Sequence, residues 1–456
     1  MAIQSDFYVH DSDKIALQAL KAIPGFTQVF KAFMKAWSEK QFRILNMSSN
    51  LRISENQLSK YYDMLPPICK KLGIKVPELY LTHDVYPNAY TAGDTEPFIV
   101  MTSGLLETLP DELIPSVLAH ECGHIACHHC LYTTMGRFVL SEAINYLGLS
   151  DLAVLPIQVA FSYWMRCSEL SADRAAAICD GSADKVIETC MRFAGFDKDI
   201  DGVANVDAFM AQAIEYKDLV NDNKWNKTLE FLLFSQEDHP LNAVRAYECN
   251  EWTKSERFTK ICTYVNASES QGLLPIHNFI NEVPMIESSK SYIGNSVNEA
   301  LQKLAALGFT NVKTEKVTQK GLMVKEGQVI GIRIGNKDGF EMCEWYSIDA
   351  EITVCFYEPE TEEEVAAAHP GQLRAPDSSK RYLGKIYSEV ANDFINSGFT
   401  TVKLEPQIKE KKGWFGKEGS ILTISINGQT QFEKGEWFDQ NALVRIVYQS
   451  FQSPTE

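Results

Sequence analysis

Long apolar runs are missing from this chain. The most hydrophobic stretch, residues 131–164, is interrupted by Arg137, Ser141, Glu142, Asn145, Asp151 and Pro156. It holds no window of about 18 residues free of charges and breakers, as a membrane-spanning helix needs. It reads instead as a core hairpin, with contact at a membrane surface as the alternative. Positive charge is also short. The 43 Lys and Arg against 60 Asp and Glu leave a net charge of −17. That balance argues against a general nucleic-acid binder and against a binder of acidic membranes. The 11 cysteines are odd in number and follow no disulfide-like spacing. The opening residues, MAIQSDFYVHDSDK, place no basic run before an apolar core, so no secretory leader is expected. A reducing, cytoplasmic setting is the expectation. With 45% apolar and 23% charged residues the composition is ordinary globular. The 456 residues suffice for about two to four domains.

Histidine is scarce and unevenly placed. Four of the nine fall within ten residues, at 120, 124, 128 and 129. Residues 116–130 read SVLAHECGHIACHHC, an H-E-x-x-H made by His120, Glu121 and His124. On a helix, positions i and i+4 share a face. Both imidazoles can then reach one metal ion, while Glu121 beside them reaches its water without ligating. This is the arrangement of zinc hydrolases. Asp111 and Glu112 suit a first helical turn, Leu113, Val117 and Leu118 give packed-helix spacing, and Pro115 is tolerable only in that first turn. The bare pattern also arises by chance in core helices.

Residues 14–45 carry apolar side chains at helical spacing with a break near Pro24 and Gly25. They predict two helices, an arm packed on the next domain or an autoinhibitory segment. Residues 54–74 predict another helix ending at Gly73. Short β-like runs at 79–81 and 97–101 flank a turn-rich connection with Asn88, Ala89 and Tyr90, and residues 102–104 read as a turn. Residues 166–180, RCSELSADRAAAICD, are strongly helical, and Glu169 and Asp173 share a face. Two carboxylates facing a core need a cation or donors. Glu169 suits a third zinc ligand and Asp173 a hydrogen-bond partner for a ligand imidazole. The alternative is a solvated face, with Arg166 beside Glu169. Residues 181–235 read as helical with a polar interruption at 197–205, followed by a helix to about residue 267 and a loop-like stretch, 268–289. His239 precedes Pro240 and so sits extended or in a turn, from which it can enter a site or lie on the surface. Cys127 and His128 fall near the face of His120, and Cys127 with Cys130 makes a C-x-x-C. A second metal or redox switch is weighed there against free buried cysteines, and none of the three is assigned to the site.

The last third repeats. Gly294, Gly308-Phe309, Val312, Gly327 and Trp345 match Gly384, Gly398-Phe399, Val402, Gly419 and Trp437 in order. Each copy predicts a helix and then strands around a glycine turn. Residues 358–380 between them have an acidic, linker-like composition.

Asn88-Ala89-Tyr90, then Ala119-His120-Glu121-Cys122-Gly123-His124, then Glu169-Leu170-Ser171-Ala172-Asp173-Arg174, then His239-Pro240 with Arg245 come in a set order. Over about residues 50–260 this resembles the HtpX and CAAX-prenyl-protease family of zinc metallopeptidases, among the gluzincins. The two C-terminal copies resemble PASTA-like modules. The resemblance implies His120, His124 and Glu169 as ligands of one zinc ion per chain and Glu121 as general base. It implies Asp173 as support, His239 as a stabiliser of the oxyanion with Arg245 behind it, and the strand at Asn88 and Ala89 as one that pairs with substrate. The expected fold class is α+β, a mostly helical zincin-like domain with a small sheet and two small α+β repeat domains. The expected boundaries are 1–50 for the arm, 51–285 for the peptidase, 286–358 and 380–456 for the repeats, and 359–379 for the linker. The expected function is zinc-dependent endopeptidase action on a peptide or protein, with a further partner on the repeats. The alternatives are a zinc-stabilised binding or scaffold protein and a peripheral membrane quality-control protease.

Overall fold

The computed structural model describes residues 3–141, 151–197, 204–222, 241–271, 276, 279–318, 324–409 and 417–451. His239 and Pro240 lie outside the described residues. The chain is α+β and divides into two compact units, Met1–Glu315 with Gln328–Phe356, and Lys316–Gly327 with Tyr357–Glu456.

In the first unit, helices α1 (Asp11–Ala22) and α2 (Phe26–Ala36) break where expected, because Gly25 at φ +95° takes a conformation other residues avoid. A third helix, α3 (Glu39–Ser49), extends the arm beyond the two expected. The sheet runs β1-β2-β4-β3, from Leu51–Ile53, Glu78–Thr82, Phe98–Thr102 and Ala89–Ala92 respectively. Strands β2 and β4 pair in parallel, and β3 pairs antiparallel to β4. The single helix expected at 54–74 is two, α4 (Ser59–Tyr62) and α5 (Leu65–Leu72). Pro66 and Pro67 have no N–H to donate and fit only a first turn, so the helix restarts there. Residues 102–104 are likewise not a turn. Thr102 caps helix α6 (Ser103–Thr108), its Oγ1 accepting from Leu105 N at 3.1 Å.

Helix α7 (Ile114–Ala126) follows, with Pro115 in its first turn. Helix α8 (Cys130–Leu140) and the 30-residue α9 (Asp151–Asp180) carry the hydrophobic stretch. Their apolar faces meet α1 and α2 through Leu20, Phe26, Phe33, Phe161 and Trp164, all buried. Each buried phenylalanine there contributes about 1.5–3 kcal/mol. No helix among the described residues is long and apolar enough to cross a membrane. Helices α10 (Asp184–Phe193) and α11 (Val206–Asp222) pack on the helix Asn242–Thr253. The next helix, Glu256–Gln271, runs into the stretch expected as loop, which also holds the strand Glu282–Pro284.

The repeat is visible in the backbone. Gly308 and Gly398 sit at φ +102° and +96° just after the helices Val297–Ala306 and Tyr387–Asn396, in the left-handed conformation that ends a helix. The phenylalanine after each is buried. In the second copy Val402–Lys409 pairs in parallel with Val444–Phe451, which pairs antiparallel with Ile421–Ile426. The first copy places Val312–Val317, Ile352–Tyr357 and Val329–Ile334 in the same order.

Candidate metal centre

The site begins with a close helix crossing. A β-carbon on Gly123 of α7 would lie 2.7 Å from Ala175 Cβ and 3.1 Å from Ala172 Cα of α9. Glycine on one helix and alanines on the other therefore let the two backbones approach closely. That approach sets Glu169 and Asp173 against His120 and His124, all four buried.

His120 Nε2 and His124 Nε2 are 3.2 Å apart. Glu169 places one carboxylate oxygen 3.3 Å from the first and the other 3.3 Å from the second. Tetrahedral zinc with bonds of about 2.0–2.1 Å has ligand–ligand edges of about 3.3–3.4 Å, so the donor atoms fit it. The charges fit as well. Glu121, Glu169 and Asp173 are buried, and Arg245 is the buried guanidinium beside them. With both histidines neutral, as metal ligation requires, three carboxylates against one guanidinium leave a two-charge deficit among the described residues, which a divalent ion offsets.

Each imidazole is held from behind. His120 Nδ1 lies 2.9 Å from Asp173 Oδ1. Arg245 grips the same carboxylate in a fork, Nε to Oδ2 at 2.8 Å and Nη2 to Oδ1 at 2.7 Å. Burial disfavours the Asp173 charge, but Arg245 and His120 outweigh it and hold its pKa at about 2. Burial also opposes a charge on His120, yet Asp173 and Glu169 raise its pKa to about 9. His124 moves the other way, lowered chiefly by burial. A metal entering this centre must therefore displace a proton from His120.

Glu121 points toward β3, where Thr91 Oγ1 donates to its carboxylate. Ala89 of the same strand lines a cavity of about 20 Å³ with His120, Glu121, Asp173 and Arg245, room for a single water. Asn88 stands just before β3, its N–H donating to Thr102 Oγ1 at 2.9 Å. Cys127 caps α7 with its N–H on the Gly123 carbonyl, and His128 at φ +58° turns out of the helix; neither lines the cavity at His120 and Glu121. Thr91, His129 and Asp13 were not singled out from sequence. His129 Nδ1 lies 3.0 Å from His124 Nδ1, and its Nε2 lies 2.8 Å from Asp13 Oδ2. The histidine cluster was the available signal for His129. Asp13 had none, because its partners lie far along the chain.

Residues 62–253 match the family model of Peptidase family M48. The chain is 30% identical over 266 residues to the plastoglobule-localized metallopeptidase 48, chloroplastic, of Arabidopsis thaliana, a match covering 58% of this chain and 77% of that protein. The chain belongs to peptidase family M48. The Protease HtpX homolog of Ralstonia nicotianae is 25% identical to this M48 chain over 176 residues, 33% of this chain and 60% of that one. Among solved structures, the three-PASTA-domain part of a Ser/Thr kinase from Staphylococcus aureus covers 37% of this chain and 66% of that chain, at 19% identity and a TM-score of 0.16. The family makes this M48 chain a metallopeptidase, and the matched residues contain the whole His120–His124–Glu169 cluster with Asp173 and Arg245.

Proposed function

We propose that this M48 chain is a zinc-dependent endopeptidase, with His120, His124 and Glu169 holding the ion. What carries the reading is the donor set, two Nε2 atoms 3.2 Å apart with one Glu169 oxygen 3.3 Å from each, and Glu121 one residue from a ligand. Bound zinc supplies Lewis acidity, which acidifies water and polarises a carbonyl oxygen. Glu121 takes a proton from the attacking water and later delivers it to the leaving amine. Thr91 orients the Glu121 carboxylate by donating to it. Asp173 keeps the His120 Nδ1 proton in place, so that Nε2 is the nitrogen offered to the ion, and Arg245 fixes Asp173. The substrate lies along β3 near Asn88 and Ala89, where its backbone passes Glu121. His239 donates to the oxyanion, an assignment that rests on its place in the family order. The peptidase domain is assigned to 51–285, between the arm 1–50 and the repeats 286–358 and 380–456.

The test is cleavage of a quenched peptide library by wild type and Glu121→Gln, each with and without chelator. Cleavage by wild type alone, abolished by chelator and restored by zinc, is expected. Full zinc-dependent cleavage by Glu121→Gln would remove Glu121 as the base.

A further inference from the structure

The two imidazoles of the centre are supported differently. His120 meets a carboxylate directly, at Asp173. His124 meets another histidine, and the carboxylate stands one step further back, on the N-terminal helix. The distances are 3.0 Å from His124 Nδ1 to His129 Nδ1 and 2.8 Å from His129 Nε2 to Asp13 Oδ2. Asp13 and His129 are each 2% exposed, so no solvent shares these bonds.

Asp13 is itself fully engaged. Trp164 Nε1 donates to Oδ1 at 2.8 Å, and Ser171 Oγ donates to Oδ2 at 2.6 Å. Ser171 lies on α9 between Glu169 and Asp173, and it also accepts the backbone N–H of His10 at 3.0 Å. Arg174, one residue beyond Asp173, donates to the carbonyl of Tyr8 at 3.2 Å. The helix that carries Glu169 therefore also anchors the start of α1.

Proton positions follow from the donor inventory. Asp13 is ionised and accepts only, so His129 Nε2 carries the hydrogen and donates. Metal ligation requires the lone pair of His124 on Nε2, the nitrogen 3.2 Å from His120 Nε2, and its Nδ1–H then donates to a bare His129 Nδ1. Every bond in the chain points the same way, toward Asp13.

We propose that Asp13 and His129 are positioning residues of the metal centre, setting the tautomer and ring orientation of His124 as Asp173 sets those of His120. The N-terminal helix is then part of the centre. The inference rests on the metal reading above.

Asp13→Asn tests it with almost no change of shape. The amide has one oxygen where three donors converge, so either His129 and Ser171 or Trp164 loses its acceptor, and the charge that holds the His129 hydrogen is gone. The hold on the His129 and His124 hydrogens is then weakened or reversed. Zinc affinity, read by competition with a chromogenic chelator, is expected to fall by about tenfold or more, the usual cost of losing such a partner. The visible spectrum of the cobalt-substituted protein is expected to change in band position. Ser171→Ala removes a bond to the same carboxylate without reversing any donor, and its zinc affinity should fall far less at an equal loss of melting temperature. Wild-type affinity and cobalt spectrum in Asp13→Asn would overturn the proposal. So would losses of affinity in the two variants that simply follow their losses of melting temperature. If Asp13→Asn does not fold, His129→Gln cuts the same chain at its middle, and unchanged zinc affinity there would overturn it equally. Wild type that binds no zinc would instead remove the metal reading itself.

Discussion

Ala175 Cβ lies 2.7 Å from where a β-carbon on Gly123 would stand. The contact is between two helices that each carry half of the centre. His120 and His124 come from one side, Glu169 and Asp173 from the other. The separation of the helices therefore sets the separation of the donor atoms.

Gly123→Ala should push α7 and α9 apart, since its neighbours are backbone and a Cβ with no rotamer to give. Overpacking of this kind costs about 1–3 kcal/mol. Zinc affinity should fall along with stability, because Glu169 moves away from the two imidazoles. Urea unfolding of the metal-free protein and chelator competition measure the two separately. A stable variant with undiminished zinc affinity would show that the crossing does not control the site.

Arg245 and Asp173 form a buried pair in which both partners are at most 5% exposed. Removing one charge strands the other. Arg245→Ala should cost about 3–5 kcal/mol of stability in the metal-free protein, read by denaturant unfolding. Arg245→Lys should recover only a minor part, because an ammonium cannot replace the two-pronged grip at 2.8 and 2.7 Å. Full recovery by lysine would mean that charge alone matters.

Much of this centre could be read from spacing. The i, i+4 period placed His120 with His124 and Glu169 with Asp173, and the structure brings the two pairs together as helix faces. The repeat could be read because its glycines are required by backbone conformation and recur in order. What could not be read depended on partners distant in sequence. Asp13 looks like an ordinary first-turn acid, and only the packing of α1 on α9 turns it inward toward His129. Thr91 is one threonine of a short strand until the sheet brings it to Glu121. Local signals also misled where two principles competed. Apolar spacing over 54–74 favoured a single helix, and the paired prolines overrode it. Ser103 and Gly104 looked like a turn, but Thr102 used them to start a helix.

Glu248 gives a pH dependence that does not involve the metal. It meets Lys217 of α11 and lies 3.8 Å from His10 Nε2. The contact with His10, against some desolvation and with help from Lys217, lowers its pKa from 4.5 to about 2. A depressed carboxylate stabilises the fold above its unfolded pKa, and that stability is lost as pH falls through the folded value. Glu248→Gln should therefore be less stable than wild type at pH 7 by about 1–2 kcal/mol, allowing for solvent screening. The difference should be full above about pH 4.5 and should close toward pH 2. Unfolding curves at pH 7, 4 and 2.5 check it, and a gap that stays constant across them would contradict the assignment.

The N-terminal arm separates two readings of its role. An inhibitory segment would lie over the centre, and its removal would raise activity. Here Leu20 and Ala16 are buried against α9, Phe7 and Tyr8 are buried in the main core, and Asp13 reaches the back of His124 through His129. Deleting residues 1–22 exposes the surface those side chains cover. Losing Leu20 and Phe7 alone removes about 3–6 kcal/mol of burial. In a domain of this size that lowers the melting temperature by about 10 °C or more. The truncated chain should also bind zinc more weakly than full-length protein at 10 °C, where more of it stays folded. Peptide cleavage should fall at that temperature. Faster cleavage by a folded truncated chain would establish an inhibitory arm and contradict the packing argument.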